Sequence, residues 1–231
     1  MEKPAYARAD GIQLNTVQRL YGIIVFPRAT LQDIVDNPAF FRGLACLLGL
    51  ILIFTLAILP KIGAYTIWAM EKQSLHVAAV ARDVSVYGAM AAVVLTSLAQ
   101  PLLFFFVTAL LFFLFGYTTK KQASYRVLLA VCVFAYVPVA VAAFLQSVLI
   151  MLRPAENLLD VTTSLAMFLP AGEGGVLYKV LSLVEPLDLW AVSLVALGGS
   201  IALETELKKA AAFVFVLWLA YVSFLAVLTQ F

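Results

Sequence analysis

From Val127 to Leu152 no side chain carries a charge, and Arg126 and Arg153 bracket the run. Coiled into a helix it would extend about 39 Å, more than the roughly 30 Å of hydrocarbon in a bilayer. A helix apolar on every side has to be buried in a large core or in lipid. This chain has five such runs. Composition points the same way, with 64% hydrophobic and 12% charged residues and a mean hydropathy of +1.03, whereas soluble domains carry about 25% charged and 45–50% apolar residues. The expected fold is an all-α membrane protein, a single domain over residues 1–231. Residues 1–40 form a cytoplasmic interfacial segment, and five transmembrane helices lie at about 41–59, 90–115, 127–152, 187–203 and 210–228.

The same residues exclude several functions. A net charge of +2 is too small to attract nucleic acid. Cys46 and Cys132 each fall inside an apolar run and form no pair or metal-ligand spacing. The single histidine, His76, has no H-E-x-x-H partner, no nucleophile elbow is present, and Ser200 has no histidine in any span to activate it. No catalytic residue, metal site or cofactor is expected. The first long apolar run lacks a small-residue cleavage site, so it is expected to remain as an anchor.

Ahead of that run, Leu14, Val17, Leu20, Tyr21, Ile24 and Val25 fall on one side of a 3.6-residue period and Asn15, Gln18, Arg19 and Gly22 on the other. This pattern predicts a helix lying in the membrane interface and ended by Pro27. Thr30 with Asp33 three residues on reads as the capped start of a second surface helix, and Asn37-Pro38 breaks the chain again. Span one is expected to end at Pro60-Lys61, followed by an outer loop to Asp83 with Tyr65, Trp68 and His76. Val84 to Thr119 is free of charge but too long for one upright span, and Gln100-Pro101 predicts a kink inside it. Pro138 predicts another kink inside span three.

After span three, Pro154, Pro170 and the glycines from Gly172 to Gly175 mark turns, and apolar residues at helical spacing from Val176 to Val184 predict a further interfacial helix. Span four is the shortest and carries Gly198, Gly199 and Ser200, small residues that let a neighbouring backbone come close. Its neighbour is expected to be span five or span three. Ten of the fifteen Lys and Arg residues lie in the N-terminal segment, the second loop and the last loop. The positive-inside rule therefore predicts a multi-pass protein of the cell (inner) membrane, N-terminus cytoplasmic and C-terminus outside.

Candidate lipid- or partner-contacting residues are Arg19, Pro27, Arg28, Thr30 and Asp188. Arg19 and Arg28 could meet anionic head groups. Asp188, two residues after Pro186, is either a charge stabilising a helix start or a functional polar group in the membrane. Gly198, Gly199, Ser200, Pro101 and Pro138 are the packing and kink residues. A filled bundle would suit a scaffold, whereas a polar groove lined by Thr96, Gln100, Tyr136 and Gln146 would suit transport, because unwound backbone at mid-membrane depth is tolerated beside a cavity.

Phe26-Pro27-Arg28-Ala29-Thr30 with Ile34 and Pro38 before span one, Tyr136-Val137-Pro138 in span three, and Val184-Glu185-Pro186-Leu187-Asp188-Leu189-Trp190 opening span four occur in the order that resembles the Yip family. Eukaryotic members were named for binding Ypt/Rab GTPases. The short segment before span one resembles that of a bacterial or archaeal member. The resemblance implies a five-helix fold with a cytoplasmic amphipathic start, no enzymatic activity, and a role in membrane organisation. The function expected from sequence is a non-catalytic membrane scaffold or accessory protein that contacts the lipid bilayer and other membrane proteins or itself. The alternative is a small transporter, channel or lipid scramblase using the kinked second and third spans.

Overall fold

Asn15 and Gln18 do more than supply a polar face. The Asn15 side chain accepts from the Gln18 N–H at 2.8 Å, and the Gln18 side chain accepts from the Asn15 N–H at 2.9 Å. This reciprocal pair satisfies amides left open at a helix start, and it begins helix α1 (Thr16–Val25). The structure is a computed structural model that describes residues 14–73, 78–120, 122–168, 178 and 181–228. His76, the turn at Gly172–Gly175 and most of the helix expected from Val176 to Val184 lie outside those residues.

Pro27 does not simply end α1; it opens helix α2 (Pro27–Asp36) from the first-turn position that a proline tolerates. Thr30 is therefore inside the helix rather than at its cap. Its hydroxyl donates to the Phe26 carbonyl at 3.0 Å, and its side chain is buried where α2 crosses Gly22 of α1. Nor does Arg19 face lipid. It is 4% exposed and its Nε donates to Asp33 at 2.8 Å, which clamps α1 onto α2. Local periodicity placed Arg19 on the polar face, and its partner sits on the next helix.

Helix α3 (Phe40–Lys72) runs straight through Pro60, and α4 (Ala79–Thr119) is one helix of 41 residues. The loop expected after Lys61 is thus helical as far as Lys72. Hydropathy reports where side chains prefer lipid, whereas a helix stops only where its backbone bonds stop, and an internal proline removes one of them. Tyr65 and Trp68 pack at 5.6 Å, the Lys72 ammonium lies 4.8 Å from the Trp68 ring, and Arg82 reaches Glu71 at 4.0 Å across the pair.

Span three is two helices, α5 (Tyr125–Ala135) and α6 (Val137–Leu152). Pro138 has no N–H, so the Phe134 carbonyl loses its helical donor, and the break falls two residues before the proline. There the Tyr136 N–H donates to Val133 at 3.3 Å, one residue short of the helical register. Every residue from Leu128 to Val137 is buried, which makes α5 the centre of the bundle. Helix α4 packs on α5, but past the break α6 packs on α3 and on α7 (Pro186–Ala202). A gap opens between α4 and α6 as a result.

Helix α7, at 17 residues, is shorter than the four helical stretches that, among the described residues, are long and apolar enough to cross a membrane: α3, α4, α5 with α6, and α8 (Leu207–Leu228). Gly198 meets Val131 of α5 and Leu31 of α2, while Gly199 meets the Phe112 ring of α4. Both expected neighbours pack on α7, span three at Gly198 and span five elsewhere along the helix; at Gly199 the neighbour is span two. Two polar ends can be recognised. Arg42 and Arg126 line one cleft, and at the other end Lys61 Nζ donates to the Arg153 carbonyl at 2.7 Å.

Candidate functional site: a polar cleft beside the Tyr136 break

The gap between α4 and α6 is a cleft of ≈ 410 Å³. Its back wall is Ile51, Thr55 and Ile58 of α3, and its sides are Thr96 and Gln100 of α4 and Gln146 of α6. Tyr136 lies at the break itself, and Glu185 and Asp188 come from the start of α7. Ile51 to Ile58 fall between Arg42 and Lys61 along α3, so the cleft sits between the two charged ends of the bundle rather than on either. Towards the Arg42 end it is closed by the buried α5 and by Leu47. Along α4 it is open, since Thr96 and Gln100 are exposed.

The polar groups of the cleft divide by partner. Thr96, Ser97 and Ser147 return their hydroxyls to carbonyls of their own helices, the ordinary solution for a hydroxyl in an apolar setting. The Tyr136 side chain is 9% exposed and Thr55 7% exposed. Among the described residues, neither hydroxyl has a hydrogen-bond partner, and neither do Gln100, Gln146 or Asp188. All five line the cleft. Only Tyr136 and Thr55 belong to buried residues, and among the described residues no fully buried side-chain nitrogen or oxygen lacks a partner, so the five groups open onto this space, where a polar occupant can bond them. The Tyr136 ring is fixed from behind by Phe105 at 5.1 Å and Phe104 at 5.4 Å, in edge-on and tilted packing.

Asp188 lies in the first turn of α7, and no side chain caps that helix. It therefore adds negative charge near the positive end of the α7 dipole while facing the cleft. Glu185, just before the helix, accepts from Thr163 Oγ1 at 3.4 Å. That contact belongs to a folded turn in which Thr162 and Ser164 share a hydrogen bond at 2.6 Å and the Leu165 N–H donates to Val184 at 2.9 Å. The turn holds the start of α7 in place. Sequence reading found Thr96, Gln100, Tyr136, Gln146 and Asp188, but missed Thr55 and Glu185, which look like ordinary residues until the helices are placed. Arg28 is exposed on α2, away from the cleft, and Pro101 is buried in its wall. Ser200 donates to Leu197 within α7 and takes no part. Among the described residues no group of three potential metal ligands occurs.

Residues 21–229 match the model of the Yip1 domain family. The chain belongs to that family. The match starts within α1, two residues after Arg19, and ends just past α8, so it takes in α2, the broken span and the cleft alike. Its several apolar helices make the Yip1 domain a multi-pass integral membrane protein. Neither the curated proteins nor the solved structures yield a match.

The cleft makes its own prediction about stability. Thr55→Val and Tyr136→Phe remove hydroxyls that bond nothing in the protein, so each variant is expected to unfold at the same temperature as wild type or higher, by up to ~1 kcal/mol. Thermal unfolding in detergent measures this. Losses above that size would mean that the hydroxyls hold the bundle together.

Proposed function

We propose that this Yip1 domain is a non-catalytic membrane protein with five spans, α7 being the short fourth one, that takes a small polar group into the cleft from within the bilayer. This places it in the transporter and scramblase class. The observation that carries the reading is the set of unpartnered polar side chains in a cleft open along α4. A bilayer core offers them no hydrogen bonds, and only a polar occupant makes the arrangement affordable. With the N-terminus in the cytoplasm, the cleft lies towards the outer face and is shut on the cytoplasmic side by α5 and the α1–α2 clamp. Passage then requires movement at the Tyr136 break, where one helical bond is already missing.

The test is accessibility by sides. A Gln146→Cys variant, in a Cys46→Ala background that keeps the buried Cys132, should react with a membrane-impermeant thiol reagent added to the Lys61–Arg153 side of oriented vesicles. It should react at least about tenfold more slowly when the reagent is added only to the other side. Equal inertness from both sides would remove the reading.

A scaffold role is supported by a separate observation. Helix α8 contacts α7 along one side only and leaves Val216, Leu219, Phe224 and Val227 exposed, an apolar face suited to lipid or to another membrane helix. On α1, Val17, Tyr21 and Ile24 are exposed in the same way and fit the membrane surface.

A further inference from the structure

Thirteen acidic residues are spread along the chain, yet two of them, Glu185 and Asp188, line the one space that also holds Tyr136, Thr55, Gln100 and Gln146. Among the described residues no lysine or arginine lines it. Lys61, at the nearer charged end, is engaged with the Arg153 carbonyl. A carboxylate in a low-dielectric site without a basic neighbour is strongly unfavourable, and a cationic occupant is what removes the penalty. Two aromatic rings line the same space, Phe54, braced at 5.2 Å by Phe144, and Tyr136, braced by Phe104 and Phe105. Ring faces attract ammonium groups once water is excluded. The hydroxyls of Tyr136 and Thr55, two buried residues, make no hydrogen bond within the protein and supply neutral acceptors at the cleft wall.

Carboxylates, aromatic rings and neutral oxygens lining one cleft of ≈ 410 Å³ are the recognition chemistry of an organic ammonium group. We propose that the cleft binds such a group, carried by a free organic cation or by the head group of an amino lipid entering along α4. The proposal rests on the polar-occupant reading given above and adds the charge of the occupant. Asp188 supplies the freer of the two charges, because Glu185 already accepts from Thr163.

Thiol reagents of opposite charge test it. In the Gln146→Cys protein, the trimethylammonium-ethyl methanethiosulfonate should react at least about tenfold faster than the sulfonato-ethyl one, after correction for their rates with a free thiol, because a cleft lined by one sign of charge concentrates the opposite ion. Asp188→Asn should remove most of that preference and Glu185→Gln part of it. Glu206→Gln, in an exposed pair with Lys209, should leave it unchanged. Gel filtration establishes that each variant is folded, and if the Asp188 variant is not, the Glu185 variant decides.

Adding tetramethylammonium, or exchanging pure phosphatidylglycerol vesicles for ones containing phosphatidylethanolamine, should slow the reaction. The first identifies a free cation as the source and the second a lipid head group. Equal rates for the two reagents, or protection by neither ammonium source, would overturn the ammonium assignment while leaving a polar cleft in place. A thiol that reacts with neither reagent would overturn both.

Discussion

Replacing Gly199 by leucine is expected to be among the most damaging single changes in this protein. A Cβ at that position would press into the Phe112 ring well inside van der Waals contact, and Phe112 is 1% exposed, packed at 5.5 Å against Phe213 of α8. The ring has nowhere to go. At Gly198 the obstacle is the side chain of Val131, with Leu31 Cδ2 3.0 Å away, so the two glycines lock α7 against three different helices. Overpacking of this kind typically costs ~1–3 kcal/mol, and membrane helices rely on such close approach because lipid supplies no hydrophobic drive between them. Thermal unfolding of the purified protein in mild detergent should show the loss for both Gly198→Leu and Gly199→Leu. Leu194→Ile, a change of shape without volume, should cost little. Gly49→Ala is the sharper control, since nothing lies within 4 Å of its new methyl; it should stabilise by up to ~1 kcal/mol through helix propensity. If the glycine variants at 198 and 199 matched wild type, α7 would not be packed as described.

Arg19→Ala is expected to cost still more, about 3–5 kcal/mol, the usual result of stranding one member of a buried ion pair. The guanidinium bonds Asp33 through Nε, reaches the Asp33 carbonyl at 3.5 Å and lies 5.9 Å from the Phe134 ring. Its removal leaves Asp33, 17% exposed, without its counter-charge, and loosens α1 from the bundle. Replacing both residues together by leucines should cost much less than either alone, because no charge is then left unpaired. Single and double variants compared in one thermodynamic cycle give the answer. Additive losses would mean that the pair is not coupled.

What could be read from the residues, and what could not, follows from how far apart the partners are. The spans, the breaks at Pro27, Pro38 and Pro138 and the tight packing of Gly198 and Gly199 are local, written in runs of a few residues. The Arg19–Asp33 clamp is not, because the 3.6-residue pattern of α1 knows nothing of α2. Pro27 shows the same limit, since it ended one helix as expected but also began the next, which moved Thr30 from a cap to a helix interior. The cleft was legible as four residue names, Thr96, Gln100, Tyr136 and Gln146, because amides and a tyrosine beside prolines stand out in apolar runs. That Thr55 and Glu185 complete it depends on α6 turning away from α4, a tertiary fact. Hydropathy also hid the length of α3 and α4, whose helices continue past the apolar stretch.

A polar cleft between membrane-spanning helices should hold water, and water at that depth can be measured. A nitroxide attached at position 146, in vesicles suspended in deuterated water, reports nearby deuterium through electron spin echo modulation. Position 219, exposed on the apolar face of α8, serves as the lipid-facing reference. The cleft predicts deep deuterium modulation at 146, close to that of a label on the exposed Glu206 turn, and weak modulation at 219. Modulation at 146 as weak as at 219 would contradict it.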